Sequence, residues 1–499
     1  MSAGGAAASR APLPFAWLRR AFALDLRSVA ALRVALGLSV LLTLASYAGV
    51  YRDFVLRGTV VSVEAVRALT PEGARIFLAP FDLAPRPAAL LLLPGLGAAG
   101  IALTLGWRSR ASCFACWLLL AALHARAPVL LNFGDQILLR ALFWSCALPL
   151  GLRAALDARR VRAPAVQVVS SAGSAALLLQ FCAIYFVAGA VKTGAEWGPE
   201  ASAVHYVLGQ KWMATPLAGA LHLDRELSGW ISRAVPPLEQ AMPVLLLTPW
   251  LQAPARLLAV AGVWCFHAGL ALFLDLGPFP LVCMGLATVF LPGAFWGALA
   301  RLRGSGRAAS PAPAGRMLAG GRLSAALLLP LGLLAAGHAL ETLTGRRDLL
   351  PAPLRRVGEA LALSQPWTMY APGVDHWDGW MSARARLAGE GEIDLLRGGA
   401  EFSDAPPPQL PWSGQSFRGT LLLDSVTLYP HLFARPYLRR LCRQWNRAHP
   451  DAPVESVALL RVYVDLEQPH APVRERRPLS RLRCPSRVRP GIATSPEFG

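Results

Sequence analysis

Nine stretches of apolar residues dominate this sequence: 28–50, 87–106, 111–131, 136–152, 172–191, 236–252, 255–275, 279–300 and 322–343. A helix crosses ~30 Å of hydrocarbon in about 20 residues, so a chain punctuated in this way reads as a bundle of transmembrane helices. The composition agrees. Of 499 residues 54% are hydrophobic and 16% charged, and the mean hydropathy is +0.42. Soluble domains carry about 25% charged residues, which excludes one large soluble enzyme. Disorder is excluded for most of the chain, because there is ample apolar surface to bury.

The net charge is +19. In a soluble protein this would suggest nucleic acid. Here the arginines flank the apolar runs or lie in the tail, so membrane topology and anionic lipid account for them and no nucleic-acid partner is expected. With residues 1–27 in the cytoplasm, loops 107–110, 153–162, 253–256 and 301–316 are rich in arginine and hold one acid, Asp157. The opposite loops, 51–86 and 194–235, mix both signs. The positive-inside rule then places residues 344–499 outside the cytoplasm. Heavy use of Ala, Arg, Gly and Pro suggests a GC-rich genome, and the expected location is a bacterial inner membrane.

The tail has a different pattern. Alternation over 382–387 and 392–396, around a Gly-Glu-Gly turn, predicts a hairpin; 457–466 predicts another strand, and 431–448 a helix. Segment 304–321 reads as a linker, 405–411 as a loop, and 194–235 as short amphipathic helices on the outer face. The expected fold is an all-α polytopic membrane bundle of about nine transmembrane helices (28–343) with a small C-terminal extracytoplasmic α+β domain (344–499). Six of the eight cysteines lie in apolar runs as small core or lipid-facing residues. Cys113 and Cys116 form a CxxC inside a span with no second pair, so no metal is expected. Cys442 and Cys484 lie in the tail and can pair in an oxidising compartment.

Ionisable groups in apolar runs are costly and default to functional hypotheses. Tyr185, Gly189 and Lys192 follow i, i+4, i+7 spacing and share one helix face. Ala188 and Gly189 allow close approach of a helix or a flat ligand. Lys192 is one of only two lysines, with Lys211, among 49 basic residues. Two readings stand: a lysine snorkelling to the interface, or a buried neutral amine acting as a general base. Asp135 lies between two spans and Arg140 one turn into the next; they read either as a charged pair or as a capped helix start with Arg140 snorkelling or paired. His267 reads as a site residue or as a histidine bonded between helices. The Gln365-Pro-Trp367-Thr-Met369-Tyr370 segment reads as a roof over a cavity or as an interface anchor.

These residues together resemble the HTTM (horizontally transferred transmembrane) family, whose known enzyme is the vitamin K-dependent γ-glutamyl carboxylase. The motif carrying the resemblance is Tyr185-Phe-Val-Ala-Gly189-Ala-Val-Lys192-Thr-Gly-Ala-Glu196-Trp197. Lys211-Trp212-x-x-Thr215-Pro216, Phe266-His267 and Trp367-Thr-Met369 add to it, and the resemblance covers about residues 20–375. It implies a quinol-dependent carboxylase-like enzyme with Lys192 as catalytic base. Tyr185, Gly189, Trp197, His267, Asp135, Arg140 and Trp212 would surround a quinone pocket. It also implies reduced vitamin K or a related quinol as cofactor, CO₂ and O₂ as co-substrates, and a protein substrate with Glu residues. In that chemistry the lysine deprotonates the hydroquinone, which reacts with O₂. The strong base so formed removes a glutamate γ-proton, and the carbanion adds CO₂. Two departures stand out: Phe133 follows Asn132 where the enzyme has a histidine, and the enzyme's large lumenal domain is replaced by a shorter tail. The reading from a different class is a non-catalytic membrane scaffold that binds lipid or a partner.

Overall fold

The first long helix, α1 (Leu26–Tyr47), begins where the Asp25 carboxylate accepts the Arg27 backbone N–H at 2.8 Å. Such a cap satisfies a donor that the helix itself leaves unpaired. The computed structural model describes residues 19–51, 61–160, 167–221, 223–304, 318–319, 322–364, 367–389, 391–403, 417–467 and 475–484. Further helices follow: α2 (Pro85–Leu105), α3 (Ser109–Arg126), α4 (Phe133–Ser145), α5 (Ala172–Ala190), α6 (Arg225–Leu247), α7 (Gln252–Phe273), α8 (Phe279–Ala287), α9 (Gly293–Leu302) and α10 (Arg322–Thr344).

Hydrogen bonds tie the helix termini into two ends. At one end β1 (Leu24–Asp25) pairs with β2 (Val168–Ser170), which pairs with β3 (Leu318–Ala319). There the buried Arg33 donates to Leu103 O (2.7 Å) and Ala154 O (2.5 Å). Arg256 donates to Ala21 O (2.5 Å), Ala23 O (3.0 Å) and Leu246 O (3.1 Å). At the other end Asn132 Nδ2 donates to Leu276 O at 3.2 Å, and Arg140 reaches Ser364 O at 2.6 Å.

Five of these helices, α1, α2, α5, α7 and α10, are long and apolar enough to cross a membrane. A sixth crossing is possible if α8 and its continuation to Phe290 are joined to α9, across a 97° bend. Among the described residues, the expected spans 111–131, 136–152 and 236–252 are therefore outside this set. Helix α3 carries Arg110 and Arg126, α4 has 13 residues, and α6 carries Arg225, Glu226, Arg233 and Glu239. The apolar runs that suggested full spans there are completed by loops and turns rather than by helix.

Helices approach closely where side chains are smallest. A Cβ on Gly37 would meet Thr104 Oγ1 of α2 at 2.2 Å, and one on Gly189 would meet Pro236 O of α6 at 2.6 Å. This is the small-residue contact common between membrane helices.

Past α10 and α11 (Ala352–Ala360) lies a five-stranded antiparallel sheet of order β6-β5-β4-β7-β8. Its strands are β4 (Trp377–Leu387), β5 (Glu392–Asp394), β6 (Ala400–Glu401), β7 (Val454–Asp465) and β8 (Glu475–Arg483). In the central pair Trp377 faces Asp465 and Ser382 faces Leu460. Helices α12 (Phe417–Leu428) and α13 (Pro430–Ala448) contribute Val426, Phe433, Tyr437 and Leu438 to a core shared with Trp380, Val457 and Leu459. The predicted β4–β5 hairpin, strand and helix are present; α12 and β8 were not foreseen. Cys442 of α13 is disulfide-bonded to Cys484. Most of segment 1–27, most of 304–321 and all of 405–411 lie outside the described residues. Leu318–Ala319, read as linker, is instead the edge strand β3.

Candidate functional site

Helix α5 starts on a capping box in which the Ser171 and Ser174 side chains exchange bonds with each other's backbone N–H. It ends at Ala190, two residues before Lys192, whose Nζ donates to Ala188 O at 2.9 Å. Carbonyls at a helix C-terminus lack intrahelical partners and attract cations. The Lys192 side chain turns inward and is only 5% exposed. Its second partner is Glu239 of α6, with Nζ and Oε2 2.6 Å apart. The face of α5 that carries Gly189 lets α6 approach, and a Cβ there would sit 3.0 Å from Glu239 Cβ. Burying two opposite charges together leaves a site with no net charge, which a low-dielectric interior demands. The Trp197 ring lies 5.5 Å from Nζ, an additional cation–π contact.

The pair faces a cavity of about 370 Å³ bounded by α5, α6, α7 and α8. Tyr185 and His267 form a second buried pair on its wall, Oη to Nε2 at 2.7 Å. His267 Nδ1 is buried and has no hydrogen-bond partner among the described residues. Ile184, Leu270 and Phe279 make the wall apolar.

Trp367, Met369 and Tyr370 close the cavity from the tail side. Of the two readings of that segment, the geometry is that of a roof; Gln365 lies outside the described residues. Trp197 Nε1 donates to Tyr370 O at 2.9 Å, and Gly194 N–H to Pro372 O at 2.8 Å. Burial pushes the pKa of the Tyr370 hydroxyl up, so it stays a neutral donor, set 2.7 Å from Met213 Sδ.

The structure thus brings Lys192, Tyr185, Trp197 and His267 around one cavity. Gly189 stands behind it as the contact that admits α6. Trp212 packs beside the roof against the Trp197–Tyr206 cluster and does not line the cavity. Asp135 and Arg140 do not pair, which corrects one sequence reading. Asp135 completes the Asn132 capping box and binds Arg418 of α12, through Nη1 to Oδ2 and through Nη2 to Oδ1 at 2.7 Å. Arg140 instead donates to Gln136 O (2.7 Å) and Ser364 O, with Trp367 5.3 Å away. An arginine four residues along a helix reaches its own turn more easily than a carboxylate already committed to a cap.

Sequence reasoning missed Glu239 and Arg418. Glu239 carried a signal, being an acid inside an apolar run. Arg418 carried none, because its partner lies 283 residues away.

Fold and site define an integral membrane protein, mostly helical, with a buried ion pair facing an apolar cavity. The family description "HTTM domain" matches residues 77–295, and the chain carries an HTTM domain over that stretch. The match takes in Lys192, Glu239, Tyr185 and His267, and ends before the roof and tail. No curated protein and no solved structure matches the chain.

Proposed function

We propose that this protein is a carboxylase-like membrane enzyme that acts with a quinol-type lipid, using Lys192 as the base. The observation that carries the reading is the buried Lys192–Glu239 pair opening on an apolar cavity. A quinol fits this chamber: its ring needs an apolar wall, and its hydroxyl groups need the polar atoms gathered at Lys192 and Tyr185. His267 Nδ1, buried without a partner among the described residues, offers one more polar contact. Such a group, when bound, supplies a phenolic proton and the electrons that react with O₂.

The chain's own residues would bind, exclude water and move a proton. Lys192 Nζ accepts the proton while Glu239 Oε2, at 2.6 Å, holds or takes the one already in the pair. The pair is neutral wherever its own proton sits; once Lys192 takes the quinol proton it carries one positive charge, which the quinolate beside it balances, so no buried charge is left without a partner. The Tyr185–His267 bond fixes both side chains in the wall, and the Trp367–Tyr370 roof keeps water out. CO₂ and O₂ are the proposed co-substrates and a glutamate-bearing protein the proposed acceptor. The proposed location is a bacterial inner membrane, with the N-terminus cytoplasmic and residues 344–499 outside. The disulfide supports that side for the tail, since disulfides persist in oxidising compartments.

A second reading rests on the same pair. Ala188 O and Glu239 Oε2 already hold two of the three Lys192 donors, so the pair also suits a non-catalytic scaffold that holds lipid or a partner protein. Mass spectrometry of copurified lipids, followed by quinol oxidation with and without bicarbonate, separates the two. The enzyme reading expects a bound quinone and turnover that Lys192→Arg abolishes in a folded protein. Turnover unchanged in Lys192→Arg, or no quinol oxidation at all, leaves the scaffold.

A further inference from the structure

At the opposite end of the bundle lies a pocket of about 810 Å³, formed where the start of α3, the turn after α4 and the start of α5 converge. We propose that it seats the phosphate of an anionic glycerophospholipid. The inference does not depend on the catalytic reading.

Three arginines line it, Arg108, Arg110 and Arg160, all exposed. Asp157, the acid in the lining, is already committed. It accepts the Arg108 N–H at 2.8 Å, and the Ser109 N–H and hydroxyl at 2.7 Å each, and so caps α3. Arg110 uses Nε on Leu148 O at 3.1 Å, which leaves its terminal nitrogens for a ligand. Guanidinium groups offer paired donors matched to phosphate oxygens. The rest of the lining is largely apolar, including Pro149, Leu150 and Leu152. A free phosphate has no use for such a wall, whereas the glycerol and upper acyl chains of a lipid do. The position agrees as well. Leu105, at the end of the membrane-spanning α2, is 54% exposed, and Trp107, 47% exposed, stacks under the Arg108 guanidinium at 5.5 Å. Exposed tryptophan marks the depth of lipid headgroups.

The test uses the full-length protein in phosphatidylcholine nanodiscs with or without phosphatidylglycerol, read by native mass spectrometry and thermal unfolding. Phosphatidylglycerol is expected to stay bound through delipidation and to raise the Tm, whereas inorganic phosphate is not. Replacing Arg108, Arg110 and Arg160 with Gln is expected to weaken retention by about tenfold or more, the loss of one or more charge-assisted hydrogen bonds. Arg160→Gln alone, whose side chain takes no part in the α3 cap, guards against misfolding and should lower retention severalfold. Arg301→Gln with Arg303→Gln, exposed arginines outside the pocket, should not. Equal retention in the triple and single pocket variants and the wild type, equal loss in the control, or equal stabilisation by inorganic phosphate would each overturn the proposal.

Discussion

Lys192 and Glu239, 47 residues apart in sequence, meet inside the bundle with Nζ and Oε2 2.6 Å apart, both side chains less than a tenth exposed. Each makes the other tolerable. Removing one partner strands the other charge in an apolar surround, whereas removing both does not.

That asymmetry predicts the outcome of a double-mutant cycle. Glu239→Gln alone is expected to destabilise by about 3–5 kcal/mol, the usual consequence of breaking a buried pair. Lys192→Met together with Glu239→Leu should recover most of that loss. Thermal unfolding of the detergent-solubilised protein gives the four corners of the cycle; simple additivity would show that the two groups do not interact.

Activity separates from stability at Lys192→Arg. Arginine retains the charge and the bond to Glu239 but does not give up its proton near neutral pH. If the lysine is the base, quinol-dependent turnover falls by about 10²–10⁴-fold, the range for losing a general base, while the Tm changes little.

Gly189→Val is expected to act from behind the site. Its Cβ would lie 2.6 Å from Pro236 O, so α6 must move away, and Glu239 with it. Overpacking of this kind costs about 1–3 kcal/mol. Gly189→Ala should show a smaller effect in the same direction, and substitutions at Gly332, where a Cβ meets nothing within 4 Å, should show none.

A Cys442→Ser, Cys484→Ser double variant is expected to lose about 2–4 kcal/mol of tail stability, the usual contribution of a disulfide. In the intact protein, thiol labelling of these two positions should require reduction first. Immediate labelling of freshly purified protein would show the bond to be open.

The parts of the fold legible in the sequence were those written in local periodicity. Apolar run length located the helices, though three of them are shorter or more polar than a crossing needs, because run length counts loops and helix alike. Strand alternation found β4, β5 and β7 but not β8, whose sequence, Glu475-Arg-Arg-Pro-Leu, has no apolar rhythm. The i, i+4, i+7 spacing of Tyr185, Gly189 and Lys192 foresaw the shared face and the close approach at Gly189. It was silent on which helix would approach. Asp135 and Arg140 show the limit most plainly. Proximity in sequence suggested a pair, and each found a partner from the far end of the chain instead, at Arg418 and Ser364. Arg33 and Arg256, buried cations bonded to carbonyls at helix ends, were hidden for the same reason: nothing in the sequence says which carbonyls will lack partners.

Bidding for Asp135 by Arg418 also fixes an order of events. The carboxylate belongs to the fourth long helix, and the guanidinium that neutralises it is translated 283 residues later. A ribosome must therefore finish most of the chain before the bundle can be completed at that spot. Until then the aspartate lacks the guanidinium it faces in the finished fold, and a chain ending before residue 418 would leave that seam of the bundle open.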